Sequence, residues 1–204
     1  RGPRLDLQAH LADPSKPIDA GQYRHSTHYL ENATWDPIVN ALKNSNLTDP
    51  GSKVKVIFVP TYLNKADGIF HKDYYELLVG MDITVFPSYY EPWGYTPLEA
   101  VAFHVPCITT DLAGFGLWAN NVKGASASIE DGVEVVHRTD YNFSEVADHI
   151  KATVARFAAM TPKEVRACRS KADKLSKKAL WSEFIPYYEE AYDLALRKAE
   201  KRAE

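Results

Sequence analysis

The sequence predicts an α/β domain built on a parallel, doubly wound sheet and followed by a helical C-terminal tail. Three observations point there. Four short β-branched or apolar runs, 54–59, 83–86, 107–110 and 133–136, are separated by segments with helical spacing, the alternation that builds parallel βαβ units. After Ser144 the pattern is helical, with a break near Pro162 and a kink expected at Pro186. Of the 204 residues, 45% are apolar and 12% aromatic, which suits a sizeable core and speaks against disorder.

Each element has a local reason. The first thirty residues lack periodicity and carry Gly2, Pro3, Pro14, Pro17 and Gly21, so 1–33 reads as an extended arm or part of an upstream segment. Thr34 or Asp36 is placed to cap a helix with Pro37 in its first turn and Ile38, Val39, Ala41 and Leu42 as its apolar stripe. Residues 44–51 are turn chemistry, and 54–59 is a strand ended by Pro60. Asp73 precedes Tyr74, Leu77 and Leu78, spaced for a short helix that stops at Gly80. The second strand, 83–86, is stopped by Pro87. Thr96, Pro97 and Glu99 then read as a capping box opening a helix that reaches about His104. After the third strand come a loop over 111–116, a short helix from Phe115 to about Val122, and the fourth strand. The sheet-bearing domain is therefore expected over 34–143, with 144–204 as helices packed on it.

Charge narrows the function classes. Lys and Arg number 24, Asp and Glu 27, giving a net charge of −3, so neither nucleic acid nor an anionic membrane is expected as a bulk partner. No apolar run approaches the ~18 residues of a membrane span. Cys107 and Cys168 are too few and too far apart for a disulfide framework or a zinc site, which points to a reducing cytoplasm. No histidines stand at metal-ligand spacing, and His104, at a helix end, reads as structural. The basic run 163–178 reads as the solvated face of a helix. The chain begins at Arg1 and its first methionine is Met81, so it is expected to be a piece of a longer protein.

In an open parallel sheet, ligands gather beyond the carboxyl ends of the strands, at the starts of the following helices. Residues 87–99 lie there. A helix opening at Thr96 offers N–H groups and a positive dipole end to a phosphate, and Gly94 lets backbone approach a ligand closely. On spacing alone other readings stay open. Glu91 is equally a surface carboxylate, Glu99 a simple cap, and Tyr89, Tyr90, Trp93 and Tyr95 loop anchors.

The run FPSYYEPWGYTPLEA, residues 86–100, resembles the signature of eukaryotic-type glycogen synthases, glycosyltransferase family three. Glu91 and Glu99 keep the Glu-seven-residues-Glu spacing of retaining glycosyltransferases of the GT-B fold. Residues 54–60 resemble the family's VKVIF-x-P strand, 73–76 its DYEE helix start, and 107–116 its SITTNLSGFG loop. Leu180-Trp181 and Tyr187-Tyr188 are similar to its LLDW and YY pattern, while Thr27-His28 and Asp36-Pro37-Ile38 fall in the family's order. The likeness covers 27–196.

The resemblance implies the C-terminal, Rossmann-like domain of a GT-B enzyme, incomplete because the family's phosphate-gripping Arg and Lys upstream of Thr27 have no match here. It implies a retaining glucosyltransferase that extends an α-1,4-glucan, glycogen, from UDP-glucose, with no cofactor and no metal. Its partners are the nucleotide sugar, the α-glucan and an N-terminal GT-B domain outside this chain, without which turnover is not expected. Glu91 becomes the catalytic carboxylate near the anomeric carbon, where it stabilises oxocarbenium character or orients the sugar. Tyr74 becomes the ring stacked on uracil. Trp93, Gly94, Tyr95 and Thr96 line the glucose and pyrophosphate, and Glu99 accepts from ribose hydroxyls while capping its helix. Gly114 and Gly116 let a loop turn beside the cleft. Where the family carries an arginine cluster for sugar-phosphate activation, this chain has Arg166, Arg169, Lys171, Lys174, Lys177 and Lys178. Lys lacks the bidentate fork of Arg, which speaks against that activation. Two other readings stand beside this one: a nucleotide- or glucan-binding module without turnover, and a GT-B transferase for another sugar acceptor.

Overall fold

The computed structural model describes residues 26–28, 30–49 and 51–203. The arm expected over 1–33 falls mostly outside them. The chain divides into two compact units, Arg1–Leu77 and Leu78–Glu204.

In the first unit, helix α1 spans Pro37–Asn44. Asp36 caps it, its carboxylate accepting from Ile38 N and Val39 N at 2.9 Å each, and Pro37 takes the first position, where no N–H is needed. Val39 and Leu42 are buried, whereas Ile38 and Ala41 of the expected stripe are exposed. Among the described residues, the expected strand 54–59 forms no ladder. Its only pairing among the described residues is a parallel bridge, Ser26 to Phe58, with Thr27 N donating to Phe58 O at 3.0 Å. β-branched composition favours an extended chain, but a strand also needs a partner over several residues. Ile57, Val59 and Phe70 pack on the buried Ile69. His28 is held by Thr27 Oγ1 at 2.8 Å and donates from Nε2 to Asp67 O at 2.9 Å. The short helix α2, Tyr74–Leu78, opens after Asp73 as expected.

The second unit carries a three-stranded parallel sheet in the order β1 (Thr84–Val85), β2 (Cys107–Thr110), β3 (Val133–Val136). The register pairs Thr84 with Cys107, Cys107 with Val133, and Thr110 with Val136. All eight residues of β2 and β3 are buried, as in a sheet covered on both faces. Helix α3, Tyr95–Ala102, connects β1 to β2, and α4, Gly114–Lys123, leads from β2 toward β3. The helix read from Phe115 thus begins one residue earlier. Val146 and Ile150 of α5, Phe143–Ala158, pack on Ile108 and Val136. Helix α6, Pro162–Ser176, adds Cys168 to a cluster with Ile129 and Phe157. Helix α7, Trp181–Ala203, runs through Pro186. This is a Rossmann-like α/β architecture with a helical tail.

Glu134 on β3 is 5% exposed yet charged. Its carboxylate accepts from Ile129 N at 2.8 Å and Arg156 at 2.8 Å, and meets His149 Nε2 at 2.7 Å. Arg156 also reaches Glu130 at 2.8 Å. The buried charge is therefore paired on every side, as burial demands. The basic run on α6 is not only a solvated face. Arg169 donates to Met81 O at 2.8 Å, and Lys171 faces Asp131 at 3.5 Å.

Candidate functional site

The segment after β1 is fastened to the ends of β2 and β3. Phe86 N donates to Ile108 O at 2.8 Å, continuing the β1 ladder, and Thr110 Oγ1 donates to Ser88 O at 2.7 Å. Glu91 then pairs with Ala113 in an isolated parallel bridge: Glu91 N donates to Leu112 O at 3.2 Å and Gly114 N to Glu91 O at 3.1 Å. Phe115 N donates to Trp93 O at 2.6 Å. The first turn of α4 thus supplies donors to the loop. The half-buried Glu91 carboxylate receives Ser88 Oγ at 3.3 Å.

Gly114 and Gly116 are not turn residues. A Cβ on Gly114 would stand 2.2 Å from Pro92 O, and one on Gly116 2.2 Å from Thr110 O. They let the start of α4 press against the Glu91 loop and the end of β2.

The capping box expected at Thr96 is absent. Helix α3 starts at Tyr95, and its cap is Gly94, left-handed at φ 112°, with no side-chain capping bond. Glycine adopts that conformation without steric cost, so the helix begins before Thr96, and Thr96 falls inside the first turn instead of capping it. Gly94 has no side chain with which to cap the first-turn N–H groups, and helix N-termini are where anions bind.

Trp93 is set by neighbouring rings: Phe115 at 6.0 Å, Trp118 at 5.7 Å and Phe184 of α7 at 5.7 Å. Glu91, Trp93, Gly94, Tyr95, Thr96 and Glu99 stand together on the second unit, with Tyr95 and Thr96 exposed and Glu99 half-buried. Tyr74 belongs to the first unit, half-buried, with its ring edge-on to Tyr75 at 5.4 Å.

Several contributors escaped the sequence reading because their contacts are distant in the chain. Arg138, just past β3, donates to Pro87 O and lies 4.8 Å over the Tyr89 ring. Its backbone N donates to Asp111 Oδ1 at 2.9 Å, and the Tyr89 hydroxyl donates to Asp140. His137 Nδ1 meets Asp111 Oδ2 at 2.5 Å, and that hydrogen bond, with the carboxylate's charge, raises the imidazole pKa above its ordinary value. An Arg two residues after a strand expected to end at the ligand-bearing edge was the available signal. His104, left-handed after α3, faces Asp173 at 3.3 Å. Among the described residues, no group of three or more His, Cys, Asp or Glu is placed to hold a metal ion, and no helix is long and apolar enough to cross a membrane.

A three-stranded parallel sheet flanked by helices is an α/β unit of the Rossmann-like class. Comparison with known proteins makes it specific. The glycogen synthase family model matches residues 24–202. The chain is 34% identical over 174 residues to glycogen [starch] synthase isoform 1 of Saccharomyces cerevisiae, covering 85% of this chain and 25% of that protein. It is 32% identical to the glycogen [starch] synthase of Neurospora crassa, over 85% of this chain and 24% of the relative. To the liver glycogen [starch] synthase of Mus musculus it is 29% identical, over 85% and 25%. The chain belongs to the glycogen synthase family. It spans about a quarter of the length of these relatives.

Proposed function

We propose that this chain is the donor-binding part of a retaining glucosyltransferase that extends an α-1,4-glucan from UDP-glucose. The observation that carries the reading is the Glu91 loop, fastened by backbone bonds so that its carboxylate is free for chemistry at the strand ends. In this reading Glu91 stabilises positive charge developing at the anomeric carbon of the donor glucose. The first-turn N–H groups of α3, around Gly94, Tyr95 and Thr96, receive the pyrophosphate, whose charge the helix dipole favours. Trp93 presents a fixed ring to the sugar, and Glu99 takes the ribose hydroxyls. UDP-glucose is substrate, and the reading includes no resident cofactor or metal. A cytoplasmic setting suits two cysteines that are both free and buried.

The chain spans about a quarter of its relatives' length, which favours a second reading for the chain alone: it holds nucleotide or glucan without turnover. The remaining partner is then an N-terminal GT-B domain. The test uses the full-length protein that contains this chain, with UDP-glucose and a maltooligosaccharide primer. Glu91→Ala and Glu91→Gln should each lower turnover by a factor on the order of a hundred or more, the scale of removing one charge-stabilising group. Turnover within tenfold of the parent in both variants would remove Glu91 from the chemistry.

A further inference from the structure

Arg138 stands two residues past β3 and closes on the segment that leads into the Glu91 loop. Its guanidinium donates from Nη1 to Pro87 O and lies 4.8 Å from the centre of the Tyr89 ring. That is inside the reach of a cation–π contact, about 6 Å. Its own backbone is held by Asp111, whose Oδ1 accepts from Arg138 N at 2.9 Å. The Tyr89 hydroxyl is tied in turn to Asp140. Between Pro87 and Tyr89 lies Ser88, whose carbonyl accepts from Thr110 Oγ1 at 2.7 Å. Three successive residues are thus held from the ends of β2 and β3. The middle one carries the hydroxyl that donates to Glu91 Oε2 at 3.3 Å. The geometry points to Arg138 as a positioning residue for the Glu91 carboxylate, acting through Ser88. The inference rests on the glucosyltransferase reading above and deepens it by naming what aims the carboxylate.

The backbone bonds at Glu91 N and Glu91 O fix where the side chain starts and leave its torsions free. Ser88 Oγ makes a contact at the far end. It takes Oε2, while Oε1 has no hydrogen-bond partner among the described residues. One oxygen is therefore held and the other is left for positive charge developing on the sugar. At 3.3 Å the contact is long for a hydroxyl and a carboxylate, and contacts of this kind tighten once substrate is bound. A hydroxyl aims its partner only as well as its own backbone is placed, and a misplacement of about 1 Å can cost about a hundredfold in rate. Arginine suits the clamp. A planar guanidinium lies over a ring while one of its N–H groups reaches a carbonyl, whereas the ammonium of lysine is a compact point charge without that fork.

The experiment uses the full-length protein that contains this chain, with UDP-glucose and a maltooligosaccharide primer. It compares Arg138→Ala, Ser88→Ala and the double variant by steady-state kinetics. Arg138→Ala should lower kcat by about ten- to a hundredfold while KM for UDP-glucose stays within about threefold, the pattern of an interaction that matters in the transition state. Ser88→Ala should lower kcat by about tenfold with the same constancy of KM. The double variant should be within about twofold of the slower single variant, because both residues act along one line. Ser88→Ala removes one hydroxyl and leaves the core intact. Should Arg138→Ala fail to fold, Arg138→Lys, which keeps the charge and loses the fork, takes its place in the comparison. A kcat within about twofold of the parent in the arginine variant overturns the inference. So does a raised KM with kcat unchanged, since Arg138 would then hold the donor itself. Losses that multiply in the double variant also overturn it, because the two residues would act independently. Glu91→Ala, run alongside, separates the two readings. If it keeps near-parent turnover, the function reading falls. If it abolishes turnover while the arginine variant keeps its kcat, only the positioning role falls.

Discussion

Glu91 and Ala113 pair as a parallel bridge beyond the ends of β1 and β2, with Gly114 N donating back to Glu91 O at 3.1 Å. The carboxylate's backbone is thereby fixed by the strand-to-helix turn of a neighbouring unit of structure, and its side chain has no part in that fastening. The arrangement depends on α4 coming very close, and the first expectation follows from that closeness.

Gly114→Ala should destabilise the chain, although alanine is the better helix former by about 1 kcal/mol. The added Cβ would stand 2.2 Å from Pro92 O, which backbone cannot yield cheaply. A loss of about 1–3 kcal/mol, the usual cost of overpacking, should appear in urea or thermal unfolding. Gly116→Ala, against Thr110 O at 2.2 Å, should behave alike. A raised melting temperature for either would show that the close approach has no stabilising role.

The pattern Thr-Pro-x-Glu occurs twice, and the two copies should respond differently. Thr161 is a true cap: Thr161 N donates to Glu164 at 2.7 Å, and Glu164 N donates to Thr161 Oγ1 at 3.3 Å. Thr161→Ala should cost about 1 kcal/mol. Thr96, inside the first turn behind a glycine cap, is exposed, and Thr96→Ala should change stability by less than about 0.5 kcal/mol. Melting curves on the two variants settle the comparison; equal losses would restore Thr96 as a cap.

That pair shows what the sequence could and could not tell. Both β2 and β3 were readable because every residue in them is buried and most are apolar or β-branched. The run 54–59 has the same composition, but among the described residues it pairs only at Phe58, since pairing is a property of the neighbour and not of the run. The loop carrying Glu91 was legible from its place after a strand and from its signature. What fastens it was not: Thr110 reaches Ser88, and Arg138 reaches Pro87 and Tyr89, across spans of chain that no local periodicity encodes. The ring set around Trp93 likewise draws Phe115, Trp118 and Phe184 from separate helices.

Glu134→Ala should be among the more damaging single changes in the second unit. It leaves Ile129 N without its acceptor, takes one of two carboxylates from Arg156 and removes the carboxylate facing His149 beside a buried strand. Both side chains are partly exposed and recover some hydration, so the expected loss is about 2–3 kcal/mol. Denaturant unfolding measures it, and a change below about 0.5 kcal/mol would mean that the network is replaceable by water.

His137 should titrate above its ordinary value because Asp111 holds its protonated form. An elevated pKa in the folded state means that the pair contributes stability fully below the unfolded imidazole value, about 6.5. That contribution is lost as pH rises through the folded value. Proton NMR of the imidazole should show a raised midpoint that returns toward normal in Asp111→Asn. Over the same interval the parent's melting temperature should fall relative to the variant's as pH rises. A midpoint unmoved by Asp111→Asn would remove the ion pair as the cause.

The donors at the start of α4 reach two carbonyls of the loop, Glu91 O from Gly114 and Trp93 O from Phe115. Loop and helix consequently share one hinge-free body. A swinging lid would have to surrender both bonds with no room to re-form them, because the glycine contacts leave no slack. Any displacement of Glu91 must therefore carry α4 with it, as a rigid displacement of the whole strand-end platform. Any joint of the second unit is to be sought outside residues 87–115.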